Sequence, residues 1–313
     1  MRTRDLKRMR SMVNQLSARQ RKVLAADLAA LEIRPAVMDI VGNRPNACPH
    51  CSCDYTVKNG NARGLQRYKC RSCQRTFNAL TGTPLARLHQ RGRWLEHGKA
   101  LSAGLTLRET SSLIGIAVCT AHRWRHRFLA APQAVKSQLL SGIAEIDETY
   151  FLRSNKGQRS GLGRLPRHRG GKATKRGISH EQVPVLVARD RSGESTDFIL
   201  AVDDSAHIVA ALQPILPTDV ILCTEGNPVM MATGRKLGIE HRPVNVAAGR
   251  RVDGPWHVQN VNAYHSRLKE WMRRFRGVAT KYLGSYLGWF RTIDRSMVTG
   301  LNPAQWLALS ASA

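Results

Sequence analysis

Four cysteines and a few oxygen-bearing side chains carry the chemistry open to this chain. Cys48 and Cys51 form one C-x2-C pair and Cys70 and Cys73 a second, with eighteen residues between the pairs. In a reducing compartment this spacing predicts four thiolates converging on one Zn2+ rather than two disulfides. A zinc ion held by four protein ligands keeps no open position, so the site is expected to be structural. The segment around it has too small a core to fold alone, and the metal is expected to supply much of its folding energy. His50 and Cys53 stand in the same stretch as spare ligands.

The second constellation is anionic. Asp147 lies inside the apolar run GIAEIDETYFL, where a carboxylate is costly unless it is paired or bound to a metal. Alternation along a strand puts Glu145, Asp147 and Thr149 on one face and Ile146, Glu148 and Tyr150 on the other. Glu225 follows the run VILCT and precedes Gly226, at the strand end where open α/β sheets build their sites. Two such carboxylates on neighbouring strands suit Mg2+ (or Mn2+), and a pair of these ions assists in-line phosphoryl displacement. A third ligand is expected from the helical segment HVQNVNAYHSRLKEWMRRFRGV. At 100° per residue Val261, Tyr264, Leu268, Trp271, Met272 and Phe275 form an apolar stripe. Asn262 and Lys269 share a line that flanks this stripe, whereas Glu270 points away from it. Asn262 is therefore favoured as the ligand and Lys269 as a phosphate contact, with His265 as a secondary candidate.

The charge balance says what these groups meet. Lys and Arg number 49 against 22 Asp and Glu, a formal net charge of +27 over 313 residues, while 42% of residues are apolar. Such an excess repels itself in a compact chain, and a polyanion offsets the cost. Nucleic acid is the partner expected, ahead of a membrane surface. No apolar run approaches the length of a spanning helix, and the basic start MRTRDLKRMRSMVNQ has no hydrophobic region after it, so a cytoplasmic, nucleoid-associated protein is expected.

The elements that must position these groups follow from periodicity. Residues 1–46 hold a helical pattern, with Ser17 as N-cap and apolar spacing over 23–31. The ribbon over 47–80 is expected to be a β-hairpin turning at Asn59-Gly60, with Gly64 as a second turn residue. Residues 81–138 read as helices, with TLRETSSLIGI and AVCTAHRWRHRFL forming a helix-turn-helix about Gly115. Its second helix is expected to present Thr120, His122, Arg123, Arg125, His126 and Arg127 to DNA, with Leu113, Ile116, Trp124 and Phe128 packing behind. Over 139–313, strands followed by strand-helix alternation predict a mixed α/β sheet. A basic insertion at 153–180 has no acidic residue; its Arg164, Arg167, Arg169, Lys172, Lys175 and Arg176 are expected to order on phosphates. Asp190, Asp203, Asp204 and Asp253 read as turn, cap and loop residues, and Cys119 and Cys223 as packed thiols.

The strings ARGLQRYKCRSCQRTFNALTGTPLARL, AEIDETYF and NAYHSRLKEWMRRFRGVATKYLGSYLGW together resemble the bacterial insertion-sequence transposases of the DDE superfamily, in their zinc-ribbon ISXO-like group, over about residues 45 to 295. The resemblance implies a zinc ribbon and helix-turn-helix that hold terminal inverted repeats. It also implies an RNase-H-like core that cleaves DNA and joins it to target DNA with divalent metal, working as a homo-oligomer on two element ends. It puts the first catalytic Asp on Asp147, the second on Glu225, and the third ligand with its Lys seven residues later on Asn262 and Lys269. Glu225 departs from the family's Asp by one methylene. That departure gives the alternative of a weakened or inactive DNA-binding derivative; a plain nuclease on the same fold is a further rival.

Overall fold

A computed structural model describes residues 3–18, 20–21, 24–25, 47–158, 160–161, 171–175, 177–244, 248–249, 252–299 and 302–312. In chain order its elements are α1 (Thr3–Asn14), β1 (Thr56–Ala62), β2 (Leu65–Cys70), β3 (Thr76–Asn78), α2 (Trp94–Ser102), α3 (Leu107–Ile114), α4 (Val118–Phe128), α5 (Ala130–Ala134), β4 (Ile143–Leu152), β5 (Gln182–Asp190), β6 (Ser195–Ile199), α6 (Ser205–Leu212), β7 (Ile221–Thr224), α7 (Pro228–Leu237), β8 (His241–Pro243), α8 (Gln259–Arg273), α9 (Leu283–Thr299) and α10 (Pro303–Ser312). The chain divides into two compact units, Met1–Ala131 with Gly300–Ala313, and Pro132–Thr299. Ser17 does cap: its Oγ accepts from Gln20 N and Gln20 Oε1 accepts from Ser17 N. Most of the expected apolar run over 23–31 lies outside the described residues.

In the first unit β1, β2 and β3 form an antiparallel sheet. The hairpin does not turn at Asn59-Gly60. The turn is at Arg63 and Gly64, both at positive φ (53° and 79°), as a two-residue type I′ turn requires. Gly60, at φ 69°, instead lies in an irregularity of β1 between Lys58 and Asn61. Cys48, Cys70 and Phe77 form a small buried cluster here, with Tyr68 stacked on Phe77.

Helix α3 starts at a reciprocal capping box between Thr106 and Glu109 and stops at Gly115 in the left-handed region. Two buried arginines then fix α3 against its neighbours. Arg93 donates to Ile114 O and Gly115 O (3.0 and 2.7 Å), and Arg125 donates to Leu105 O and Thr110 Oγ1 (2.6 and 3.2 Å). Helix α10 belongs to this unit although it follows the sheet in sequence. A Cβ on Gly98 would lie 2.7 Å from Pro303 O, so only glycine allows α2 and α10 to approach this closely.

His97 on α2 is fully buried against Trp124 and Phe128, with ring centroids 5.6 and 4.8 Å away. Neither ring nitrogen has a hydrogen-bond partner. Burial, then the Arg125 charge, holds its pKa down to about 3. The unfolded chain takes up the proton near 6.5 and the folded unit does not until about 3, so this contribution is complete above 6.5 and is lost as pH falls. Roughly 3 kcal/mol is lost by pH 4. The melting temperature of this unit is expected to fall between pH 7 and pH 4, and His97→Phe to flatten that profile in a pH series of thermal melts.

The second unit is built on a five-stranded mixed sheet of order β6-β5-β4-β7-β8. β4 runs antiparallel to β5 and parallel to β7, β5 is antiparallel to β6, and β7 is parallel to β8. One face buries Ile146, Leu186, Leu222, Ile208, Leu212 and Met230, bringing α6 and α7 onto the sheet. The other buries Val185, Val187, Val261, Tyr264, Leu268, Leu287 and Phe290, bringing α8 and α9 onto it. The expected apolar stripe of α8 is thus its sheet-facing side. Asp204 caps α6 and Asn227 caps α7, each accepting a backbone N–H from the third residue on. Asp190 holds the β5–β6 turn by accepting from Ser192 N and Glu194 N.

Candidate functional site

The last paired positions of β4 and β7 are Glu145 and Cys223. Asp147 within β4 and Glu225 just past the end of β7 each stand two residues beyond them. Thr224 Oγ1 accepts from Gly226 N (3.2 Å) and bonds His241 Nε2 (2.9 Å), which holds the loop carrying Glu225. Helix α8 passes over the Asp147 face of β4. From it Asn262 Nδ2 donates to Glu225 Oε1 at 3.4 Å, and His265 Nδ1 lies 3.4 Å from Asp147 Oδ2. Helix α8 thus contacts both acids, Glu225 through Asn262 and Asp147 through His265. Lys269 is exposed further along the same helix.

Glu148 and Tyr150 occupy the opposite face of β4, as alternation requires. There Tyr150 donates its hydroxyl to Asp203 Oδ2. Asp203 is thus a partner of Tyr150, and the capping role belongs to Asp204. Burial, then the charges of Asp203, Asp147 and Glu225, pushes Glu148 up to about 8. These carboxylates about the middle of β4 repel one another, an arrangement that cations relieve. Sequence reasoning placed Glu148 on its face but gave it no role.

Glu145 has no exposure and its carboxylate is saturated by donors. Oε2 accepts from Asn260 N and Val261 N (2.7 and 3.0 Å). Oε1 accepts from Asn260 Nδ2 (2.8 Å), lies 3.0 Å from Arg191 Nε, and lies 3.4 Å from His257 Nδ1. The pattern put Glu145 on the Asp147 face, yet its partners lie far along the chain and leave no local signal.

The donor set at Asp147, Glu225 and Asn262 is hard oxygen, which fits Mg2+ or Mn2+. The cysteines fit a softer ion. Ligand atoms of Cys48, Cys51, Cys70 and Cys73 all lie within 4.8 Å of one another. The Sγ atoms of Cys48 and Cys73, and of Cys51 and Cys70, are 3.6 Å apart; tetrahedral zinc with Zn–S near 2.3 Å implies about 3.8 Å. His50 N points to Cys48 Sγ and Cys73 N to Cys70 Sγ, each at 3.4 Å, and such donors favour thiolate. The Cys73 N–H, ahead of the other donors, pulls Cys70 down to about 6. Cys53 lies outside this set.

The basic residues divide. Arg123 and Arg127 are exposed on α4, with Arg127 also donating to Ala86 O. Arg125 contradicts its expected DNA-facing role: it is 1% exposed because position 125 shares the buried face of Ala121, Trp124 and Phe128, and its donors end on Leu105 and Thr110. Leu113 also differs from expectation, being exposed while Ile114 packs inside. Cys119 is exposed rather than packed, whereas Cys223 is buried. Lys172 and Lys175 are exposed. The insertion is held near its ends, where Glu181 accepts from Thr174 N (2.6 Å) and Lys156 Nζ donates to Gly277 O (2.8 Å). Arg164, Arg167, Arg169 and Arg176 lie outside the described residues.

Residues 139–291 match the family described as ISXO2-like transposase domain. The chain is 27% identical over 248 residues, 78% of its length and 83% of the other's, to an uncharacterized protein in transposable element ISH50 of Halobacterium salinarum. It is also similar to a chain in the crystal structure of a pre-cleavage Mos1 transpososome, at 13% identity over 70% of this chain and 78% of that one, with a TM-score of 0.23. Among the described residues no helix is long and apolar enough to cross a membrane.

Proposed function

We propose that the chain, whose residues 139–291 match the ISXO2-like transposase domain, is an insertion-sequence transposase that binds the terminal inverted repeats of its element, cleaves the DNA there and joins the freed end to target DNA. The observation that carries this reading is that α8 contacts both acids beyond the β4–β7 pairing, Glu225 through Asn262 and Asp147 through His265. We read the sheet order and strand directions as an RNase-H-like core. Asp147 and Glu225 would hold divalent ions through their carboxylates, and Asn262 would offer its amide oxygen. Bound Mg2+ or Mn2+ would activate the attacking oxygen and stabilise the leaving one. His265 orients Asp147. Lys269 lies two turns beyond Asn262, where it contacts a phosphate of the bound strand. No residue needs to form a covalent bond to DNA: water attacks the phosphodiester at the element end, and the released 3′-hydroxyl attacks the target.

The first unit supplies end recognition in this reading. α3 and α4 act as a helix-turn-helix, with Arg123 and Arg127 towards DNA, Arg93 and Arg125 holding the helix angle, and the cysteine quartet gripping Zn2+. Lys172, Lys175 and the remaining basic residues of the insertion contact phosphates. A homo-oligomer follows from the need to bring two ends together.

The test is a joining assay on duplex oligonucleotides carrying the inverted repeats that flank the gene. Joined product with Mg2+ or Mn2+, none with chelator, and none on duplexes lacking the repeats is the expected result. Equal cutting of DNA without repeats would make the protein a plain nuclease. Glu225 Oε1 lies 3.4 Å from Asn262 Nδ2, and in this reading the pair is fitted to the longer acid. Glu225→Asp breaks that contact and is expected to lower the joining rate roughly tenfold or more, as misplacement by about 1 Å does. A rate raised by Glu225→Asp would show that the longer acid weakens the enzyme.

A further inference from the structure

Helix α8 has no cap of its own. Its N-cap residue is Val258, whose side chain makes no capping hydrogen bond. A helix start leaves its first N–H groups without partners, and buried ones demand acceptors. The acceptor comes from the sheet. Glu145 takes the N–H of Asn260 and of Val261, the second and third residues of the helix, which are the positions an N-cap side chain normally serves. Its negative charge also suits the positive end of the helix dipole.

The placement of this contact matters more than its strength. Glu145 is two residues before Asp147 on the same face of β4. Val261 is immediately before Asn262 on α8. One buried carboxylate thus joins the strand that carries the first acid to the helix that carries the amide, at the point where both enter the site. Arg191 and His257 brace the same carboxylate from the β5–β6 turn and from the segment before α8. Sliding or turning α8 on the sheet would have to break several buried hydrogen bonds at once. His265, one turn beyond Asn262, is set by the same anchor and meets Asp147.

We propose that Glu145 is a positioning residue of this site: by capping α8 from β4 it fixes the separation of Asp147 from Asn262, and so the affinity of the site for divalent cations. This rests on the functional reading above. Glu145 touches neither metal nor DNA in this account; its own lone pairs are occupied.

The test uses the full chain and Mn2+ itself, with binding followed by the electron paramagnetic resonance signal of free Mn2+. Glu145→Gln keeps the shape but turns an amide N–H2 towards donors. Under conditions where near-ultraviolet circular dichroism shows it folded, it is expected to bind Mn2+ tenfold or more weakly than the wild type. Its half-saturating DNA concentration in the joining assay should stay within twofold. Asn260→Ala removes a single donor and keeps the fold under less strain; it is expected to weaken Mn2+ binding in the same direction, about threefold. Unchanged Mn2+ affinity in the folded variants overturns the proposal, as does a loss that merely tracks the unfolded fraction. If the wild type shows no Mn2+ binding that Asp147→Asn removes, the functional reading fails and the positioning role with it, a result distinct from the other two.

Discussion

Asp147→Asn is expected to lower joining by on the order of a thousandfold, since the carboxylate supplies a metal ligand whose electrostatic work is several kcal/mol. The protein should remain folded. Asparagine fills the same space, so no cavity opens. Two effects on stability oppose each other: the change removes one of the charges that press on Glu148, and it removes the anion beside His265. The net change is expected within about 1 kcal/mol, a shift of roughly two to four degrees for a unit of this size. Rate constants from single-turnover joining, paired with thermal melts, check both halves. Loss of activity with an unchanged melt identifies a group kept for function at no gain in stability; loss of both would make Asp147 a structural acid of β4.

Removal of the cysteine-held metal should have the second large effect, in the first unit. Cys70→Ser takes away the most buried of the four thiols, from a small buried cluster with Cys48 and Phe77. So small a cluster contributes a few kcal/mol at about 25 cal/mol per Å2, whereas structural zinc contributes roughly 10–16 kcal/mol in small metallo-domains. The wild type is expected to carry one equivalent of zinc by elemental analysis and Cys70→Ser essentially none. Amide protons of β1 and β2 should then exchange without protection while those of β4 and β5 stay protected. Affinity for duplexes carrying the inverted repeats should drop about a hundredfold or more. A metal-free protein with a protected β1–β2 hairpin would remove zinc from the account.

The elements of the sheet unit were legible from their apolar patterns. The strands read as apolar runs because both faces are covered, and the 3.6-residue stripe of Val261, Tyr264 and Leu268 records which side of α8 meets the core. Asp147 and Glu225 drew notice as acids against apolar runs, Asp147 inside one and Glu225 just after another. What stayed hidden depends on partners far along the chain. Glu145 reads as a strand acid until Asn260 and Val261 arrive to use it. Arg125 reads as one more cation on a basic helix, because nothing in HRWRHRF reveals that Leu105 O and Thr110 Oγ1 wait on its buried side. The hairpin was misplaced for a different reason: Asn59-Gly60 has the composition of a turn, but Arg63 and Gly64 supply the two positive-φ positions, and Gly60 spends its freedom on an irregularity within β1. Helix α10 carries no sequence mark of joining the first unit; that depends on the missing side chain of Gly98.

The most direct measurement is the anomalous scattering of Mn2+ in crystals of the protein grown with that ion. The account predicts density bound by Asp147 and Glu225 carboxylate oxygens, with Asn262 Oδ1 in the same coordination sphere. Manganese bound elsewhere, with Asp147 and Glu225 still bonded only to protein side chains, would contradict it.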